Sequence, residues 1–277
     1  DHPSAVSVVR EGPHAGRTLH DLIEIDADAL LGSRSKLTPH ERFPLLLKLL
    51  DSTDVLSVQV HPDDETALML GEPDVGKTEM WHILHADPGA ELFCGLEPGT
   101  TQTGMKSAIE AGTLEQHLTR FNVTAGDSVF VAAGTVHAIG AGIVLAEIQQ
   151  NSDLTYRLYD WDRVDASGKA RELHIEKGLR ATKFDDQSAV KIKDKSEQGL
   201  ITLVASKYFT VHRHEGQSSR QFSSDNRFSI VLAIGKDAAV STETEQRFLQ
   251  SGECCLVPAC IPTFTLDNNG PSLIYTA

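Results

Sequence analysis

Four side chains in the first half of the sequence offer ligands for a divalent metal ion: Gln59, His61, Glu79 and His137. Two neutral imidazoles, a carboxylate and an amide oxygen suit an ion such as zinc. Such a site keeps positions open for water or for the oxygens of a substrate. The sequence therefore predicts one metal centre built from these four residues.

A short strand must position the first two of these side chains. Polar and apolar residues alternate over residues 56–61, so Ser57, Gln59 and His61 share one face of the strand. Pro62 suits the first turn of a following helix, and the three acidic residues after it suit the positive N-terminal end of that helix. Ligand-type side chains are therefore presented where a strand ends and a helix begins.

The other two ligands come from later segments. Glu79 lies in a strand predicted over residues 77–84, and His137 follows a Gly-rich turn. Each ligand alone has an ordinary interpretation, because a single His in a strand is usually a surface or hydrogen-bonded residue. Three further His compete for the role: His82, His85 and His117. The prediction of a metal site becomes stronger only when the four residues are considered together.

Their spacing as a set resembles that of cupin proteins. Gln-x-His on one strand is followed by a Glu 18 residues later and by a Gly-x5-Ala-x-Gly-x2-His turn. Gln59 replaces the first His that is usual in that pattern, and Ala132 replaces the usual Pro.

Four segments carry a more specific resemblance: residues 59–63, 76–81, 134–138 and 147–157. In these segments the chain resembles the type I mannose-6-phosphate isomerases in their short bacterial form. The resemblance runs from about residue 2 to 185 and continues more weakly to the end. It implies a cupin fold, one bound Zn²⁺ per chain, and interconversion of mannose 6-phosphate with fructose 6-phosphate. The sequence begins just before His2-Pro3, which a Trp-Gly strand precedes in the family, so a truncated start is one expectation. The resemblance is to the short form, without the helical domain of the longer members.

The resemblance also implies roles for individual residues. The zinc ligands would be Gln59, His61, Glu79 and His137. Arg157 matches an active-site arginine, and Glu147 matches an acidic residue of the pocket. Ser57 and Lys77 match residues beside the ligands, and Lys48 matches a lysine near the active site. These last residues are expected to act as follows: Arg157, Lys77 and Glu147 in catalysis, Ser57 and Lys48 in substrate binding.

Aldose–ketose isomerisation through a cis-enediol needs a base, a proton route between O1 and O2, and stabilisation of developing oxyanion charge. Lys77 is a candidate acid/base, because a nearby cation disfavours an ammonium ion, and Glu147 is the competing base. Arg157 would stabilise the enediolate; the alternative is a salt bridge with a neighbouring Asp. Ser57, Lys48 and Arg163 would bind the phosphate. The alternative for Lys48 is a solvated lysine on a helix predicted over residues 39–50.

The composition of the chain limits the classes of binding partner that it can have. The 277-residue chain has a formal net charge of −14, which argues against nucleic acid, and it has no apolar run of the length that a membrane helix needs. The first residues do not resemble a secretory signal, and the four Cys form no CxxC pair, as expected for reduced thiols in the cytoplasm. A small sugar phosphate is the expected partner, and the chain is expected to be a monomer or a weak homodimer.

Short strands separated by Gly predict a mainly β protein, with two cupin-like barrels of jelly-roll type and a few helices packed on the N-terminal one. Residues 252–263 repeat the sequence pattern of residues 126–137, and Thr263 occupies the position that corresponds to His137. We therefore expect a catalytic domain over residues 1–195 and a domain without metal ligands over 196–277. Two other functions fit these features: a metal cupin acting on another substrate, and a non-catalytic sugar-responsive cupin.

Overall fold

The computed structural model describes residues 6–185, 190–192 and 199–277. Within them the protein is mainly β, and the paired strands with a defined register are antiparallel. The helices are α1 (Leu19–Leu31), α2 (Asp64–Met69), α3 (Gln102–Glu110) and α4 (Ile175–Ala181), with a 3-10 turn at Leu114–His117. The strands are β1 (Leu45–Ser52), β2 (Val58–Val60), β3 (Glu79–Ala86), β4 (Glu91–Leu96), β5 (Leu118–Asn122), β6 (Ser128–Val131), β7 (His137–Ile139), β8 (Ile143–Gln150), β9 (Tyr156–Tyr159), β10 (Val190–Ile192), β11 (Gly199–Ala205), β12 (Thr210–Glu215), β13 (Ser218–Ser223), β14 (Ser229–Ala233), β15 (Ala238–Ser241), β16 (Gln246–Leu249), β17 (Cys254–Val257), β18 (Thr263–Asn268) and β19 (Ser272–Thr276).

The chain forms two compact units. The central unit is Leu47–Lys193, and the terminal unit combines Asp1–Leu46 with Asp194–Ala277. This division differs from the predicted domains in its first 46 residues, which group with the C-terminal part of the chain. The predicted boundary near residue 195 lies outside the described residues.

Two antiparallel sheets build the central unit. Their strand orders are β1-β8-β3-β6-β10 and β5-β4-β7-β2-β9. Apolar side chains from both sheets fill the space between them, among them Trp81 and Leu145 from the first sheet and Leu92 and Ile139 from the second. The alternation of side chains along each strand explains this, because one face of every strand turns inward.

The terminal unit repeats the same construction. Its sheets have the orders β11-β12-β19-β14-β17 and β13-β18-β15-β16, and Val231, Leu266 and Ile274 belong to the core that the two sheets share. The internal repeat corresponds to equivalent strands: β17 and β18 begin at the same offsets from Gly252 as β6 and β7 do from Gly126.

The prediction of a helix over residues 39–50 is wrong. Residues 38–42 form a turn in which the Thr38 hydroxyl accepts hydrogen bonds from backbone N–H groups, and Glu41 adopts a φ of 58°. Pro44 then removes a backbone donor and disfavours helical geometry in the residue before it. The apolar run that follows becomes β1, so Lys48 lies on a strand.

Apolar spacing over residues 107–119 also predicts a helix, but the structure places this helix earlier, at Gln102–Glu110. Thr101 caps α3 through its hydroxyl, which accepts from the Gly104 N–H at 3.1 Å, and the chain leaves the helix at Gly112, whose φ is +68°. The sequence also predicts helices over residues 19–31, from residue 62 to about 70, and over 175–181, and these three are confirmed as α1, α2 and α4. No helix in the described part of the chain has both the length and the apolar character to span a membrane.

Candidate metal centre and active site

His61, Glu79 and His137 meet inside the central unit and are buried to 1%, 1% and 0% exposure. His61 Nε2 lies 3.4 Å from Glu79 Oε1, and His137 Nε2 lies 3.8 Å from Glu79 Oε2. One ligand atom from each of the three residues lies within 4.8 Å of the ligand atoms of the other two. Residues from three different strands or strand ends are thus brought to one point.

Backbone hydrogen bonds fix which nitrogen of each imidazole faces this point. His61 Nδ1 lies 2.8 Å from the carbonyl of Leu154, and His137 Nδ1 lies 2.9 Å from the carbonyl of Thr135. A carbonyl can only accept, so each Nδ1 carries the proton and each Nε2 presents its lone pair. The Gly134 N–H also donates to the His61 carbonyl at 2.8 Å, which ties the Gly-rich turn to the strand end.

Three atoms at the centre have no hydrogen-bond partner within the described residues: His61 Nε2, His137 Nε2 and Glu79 Oε2. Leaving buried polar atoms without partners is costly, and a cluster of them in a native structure calls for a missing ligand. Two imidazole nitrogens and a carboxylate oxygen are a donor set that suits zinc. The residues present therefore fit a metal ion.

The sheet places Gln59, the fourth predicted ligand, next to His137. Gln59 pairs with His137 on one side and with Arg157 on the other. Residues that face each other across antiparallel strands project to the same face. Cys94 on β4 pairs with His137 on its other side, so these four residues lie side by side across the sheet.

Lys77 is buried beside the centre, and its ammonium lies 2.9 Å from Glu79 Oε1. Burial alone would lower the Lys77 pKa, but Glu79 and Glu147 outweigh it and raise the pKa above its usual value. Among the described residues these two carboxylates favour the ammonium form of Lys77. The opposing effect expected from a nearby metal cation stays a prediction. Burial would raise the pKa of Glu79, but Lys77 and then His61 lower it well below its usual value.

Burial has the opposite effect on the imidazoles. Burial and then the positive charge of Lys77 lower the pKa of His61 to about 3. Burial also lowers the pKa of His137. Both rings are therefore neutral at physiological pH, which is the state that binds a metal.

Glu147 and Lys48 form a second group on the inner face of the first sheet. Lys48 Nζ donates to Glu147 Oε1 at 3.0 Å, and Trp81 Nε1 donates to Glu147 Oε2 at 3.1 Å. Burial and then the nearby Glu79 raise the pKa of Glu147. Trp81 also packs edge-on against His137, with ring centroids 5.4 Å apart, so it links this group to the metal centre.

Arg157 lies on β9 beside Ser57. Its Nε donates to the Ser57 hydroxyl at 3.3 Å, and its Nη1 donates to the carbonyl of Glu172 at 3.0 Å. Within the described residues no ion pair joins Arg157 to a carboxylate; Asp160 instead binds Arg163 and Arg171. Burial and then the positive charge of Arg171 lower the Arg157 pKa, so its surroundings favour an incoming anion.

Arg163, His82 and His85 are engaged by partners other than the three residues of the candidate centre. Arg163 is engaged by Asp160 at 2.6 Å and by the carbonyl of Val55 at 2.5 Å. His82 bonds to the Ser128 hydroxyl, and His85 is exposed beside Asp87. His117 ends the 3-10 turn and is not among the residues that meet at the candidate centre.

Sequence reasoning did not single out Trp81 and Gln149, which contact Glu147 and Lys48 of the candidate site. Trp81 alternates with Glu79 on β3, and Gln149 alternates with Glu147 on β8, so each shares the inward face of its strand. That period of two was the available signal.

Two family models match the chain. The model of the mannose-6-phosphate isomerase cupin domain matches residues 200–275, and that of the phosphomannose isomerase type I catalytic domain matches residues 1–79. A mannose-6-phosphate isomerase from Streptococcus mutans serotype c is 37% identical over 270 residues, which are 97% of this chain and 83% of that protein. The chain belongs to the type I mannose-6-phosphate isomerase family. Membership makes it an isomerase.

Solved structures of mannose-6-phosphate isomerases share this fold. The crystal structure of the Bacillus subtilis enzyme is 33% identical, with a TM-score of 0.87 over 100% of this chain and 87% of that chain. A zinc-bound mannose 6-phosphate isomerase is 15% identical, with a TM-score of 0.70 over 94% of this chain and 86% of that chain, which shows the fold alone.

Proposed function

We propose that this isomerase interconverts mannose 6-phosphate and fructose 6-phosphate through a cis-enediol and that it depends on one zinc ion per chain. The observation that carries the proposal is the trio of buried, unpartnered ligand atoms on His61, Glu79 and His137. The name of the curated relative supplies the substrate, and the zinc-bound structure of the same fold supports the choice of metal.

His61, Glu79 and His137 would hold the zinc, with the Gln59 amide oxygen as the fourth ligand. Gln59 supports this by its position opposite His137. When bound, the zinc supplies Lewis-acid polarisation of the sugar's oxygens. The Leu154 and Thr135 carbonyls keep both rings in the tautomer that the ion requires.

Glu147 is the base in this proposal. It takes the proton from C2 of the aldose while Lys77 gives a proton to O1, which produces the cis-enediol. Lys77 then recovers a proton from O2, and Glu147 returns its proton to C1, which yields the ketose and restores both groups. The raised pKa of Glu147 strengthens it as a base, and the charged state of Lys77 equips it as the acid.

Arg157 stabilises the enediolate charge, and Ser57 and Lys48 bind the substrate. Arg157 lacks a carboxylate partner among the described residues and is oriented by Ser57, as an anion-binding guanidinium should be. Lys48 is 35% exposed, so its ammonium reaches both Glu147 and the open side of the site. Arg163 is left out of the proposed phosphate site, because Asp160 already engages it.

We further infer that both units are cupin-type barrels and that only the central unit is catalytic. The equivalent strands of the repeat support this, together with Thr263 in the position of His137. All four Cys are free, two of them exposed, which supports a reducing cytoplasmic environment. The net charge of −14 favours a small substrate held by local cations over nucleic acid.

The low pKa of His61 predicts how zinc binding depends on pH. Two imidazoles with ordinary pKa values would lose about 100-fold in zinc affinity between roughly pH 7.5 and 5.5, because protons compete for them. Here the folded-state pKa is about 3 for His61 and is lowered for His137. Protons therefore compete with zinc for His61 only well below pH 5.5, and for His137 less than for an ordinary imidazole, so the affinity should fall by less than about tenfold. Competition with a fluorescent zinc chelator at both pH values measures this; a drop near 100-fold would overturn the assignment of these rings.

Turnover in deuterium oxide tests the proposed function. Zinc-loaded protein should convert mannose 6-phosphate to fructose 6-phosphate with solvent deuterium at C1, since the carboxyl proton on Glu147 exchanges during the life of the enediol. Nuclear magnetic resonance identifies product and label together. Absence of fructose 6-phosphate would refute the proposed reaction, and unlabelled product would refute exchange through a carboxylate base.

A further inference from the structure

Gln149 is a fully buried side chain at the edge of the proposed site. It is 0% exposed on β8 and pairs with the metal-site residue Glu79 on β3. Burying an amide requires that all its polar groups find partners. The hydrogen-bond partners of Gln149 therefore indicate which group its side chain positions.

The two ends of the Gln149 amide have different partners. Its Nε2 donates to the carbonyls of Gln150 at 2.9 Å and Ser152 at 3.0 Å, which uses both of its N–H groups. Its Oε1 accepts from Lys48 Nζ at 2.5 Å. The two carbonyls exclude the flipped amide, so the oxygen is fixed towards the lysine.

The same ammonium donates to Glu147 at 3.0 Å. An ammonium has three donors, so two are spent on Glu147 and Gln149, and the third remains for a ligand. A single acceptor would leave Lys48 free to rotate about its contact, whereas two acceptors define the direction of the third N–H. A neutral amide serves better than a carboxylate here, because Glu79 and Glu147 already place two acids in this interior.

We propose that Gln149 is a positioning residue, whose amide, locked by the two carbonyls, aims the Lys48 ammonium at the sugar phosphate. The proposal rests on the proposed function for the identity of the ligand. It assigns to Gln149 an effect that passes through Lys48, and none of its own on the substrate.

A double-mutant cycle tests this route. Gln149→Met has similar volume and removes the acceptor. In zinc-loaded protein it should lower kcat/KM for mannose 6-phosphate by about 10- to 100-fold, mostly through KM, with zinc content unchanged. In the Lys48→Met background the same change should cost no more than about twofold. Equal losses in both backgrounds would overturn the proposal, and so would loss of zinc in Gln149→Met.

Gln150→Met is the matched control. Gln150 is a neighbouring buried glutamine, but its amide binds the Thr78 N–H and Asp64 in place of Lys48. Whatever Gln150→Met costs should be the same with and without Lys48, to within about twofold. Dependence on Lys48 in this control as well would indicate general damage to the unit and would contradict a specific role for Gln149.

A second readout does not depend on the reaction. Acetylation of Lys48 by acetic anhydride, followed by peptide mass spectrometry, should be about tenfold faster in Gln149→Met than in the parent or in Gln150→Met, because a hydrogen bond to the charged amine is lost. Unchanged Lys48 reactivity would refute the positioning role. If the parent protein does not turn over mannose 6-phosphate but this acceleration is seen, the proposed substrate fails and the positioning of Lys48 stands.

Discussion

Replacing Arg157 with Ala is expected to lower kcat by about 10²- to 10³-fold while zinc content stays at the parent level. The guanidinium has no carboxylate partner among the described residues, and Ser57 and the Glu172 carbonyl hold it in place. Its removal therefore takes away charge stabilisation without opening a buried ion pair. Coupled assay of fructose 6-phosphate formation, with metal analysis of the same preparation, measures both quantities.

Two further variants sharpen the Arg157 experiment. Arg157→Lys keeps the charge but loses the planar fork, so we expect it to recover only part of the rate. Arg180→Ala removes an exposed arginine from α4 and should leave kcat unchanged. Near-normal turnover by Arg157→Ala would remove this residue from the mechanism, and loss of zinc would give it a structural role.

Replacing His137 with Ala is expected to abolish zinc retention and with it nearly all turnover. The variant loses one of the two buried nitrogens that face Glu79. Loss of Lewis-acid stabilisation worth several kcal/mol corresponds to roughly 10³-fold or more in kcat/KM. Dialysis against a weak chelator followed by metal analysis and the coupled assay tests both parts.

His82→Ala is the matched control for His137→Ala. His82 is another buried imidazole of the central unit, 2% exposed, but it bonds to the Ser128 hydroxyl and lies outside the proposed site. It should lose stability and keep its zinc. A His137→Ala protein that stays fully loaded with zinc, or a His82→Ala protein that is emptied of it, would refute the ligand assignment.

The candidate centre could be predicted from the sequence because strand alternation is local and because the spacing of the later ligands resembles that of cupin proteins. Ser57, Gln59 and His61 alternate on one short segment, and the two remaining residues occur at recognisable intervals. The structure brings His61, Glu79 and His137 together. Their assignment as zinc ligands, like the roles of Arg157 and Glu147, stays a prediction until it is measured.

The features that could not be predicted from the sequence depend on tertiary contacts or on a proline inside an apolar segment. Leucine spacing predicts a helix through Lys48, but Pro44 lies inside that segment, and the run forms a strand beside β8. Against the effect of burial, Glu79 and then Glu147 raise the pKa of Lys77, and Glu147 is 70 residues away in sequence and becomes its neighbour only in the fold. The inward direction of Gln149 was readable, but its partners were not, since they lie on β1 and in the turn after β8.

The most direct test of the account is a zinc titration of activity. Protein stripped by a chelator is supplied with increasing Zn²⁺, and fructose 6-phosphate formed from mannose 6-phosphate is measured at each step. We expect no turnover without metal and a linear recovery that ends at one zinc per chain. Full activity in the stripped protein, or no fructose 6-phosphate at zinc saturation, would contradict it.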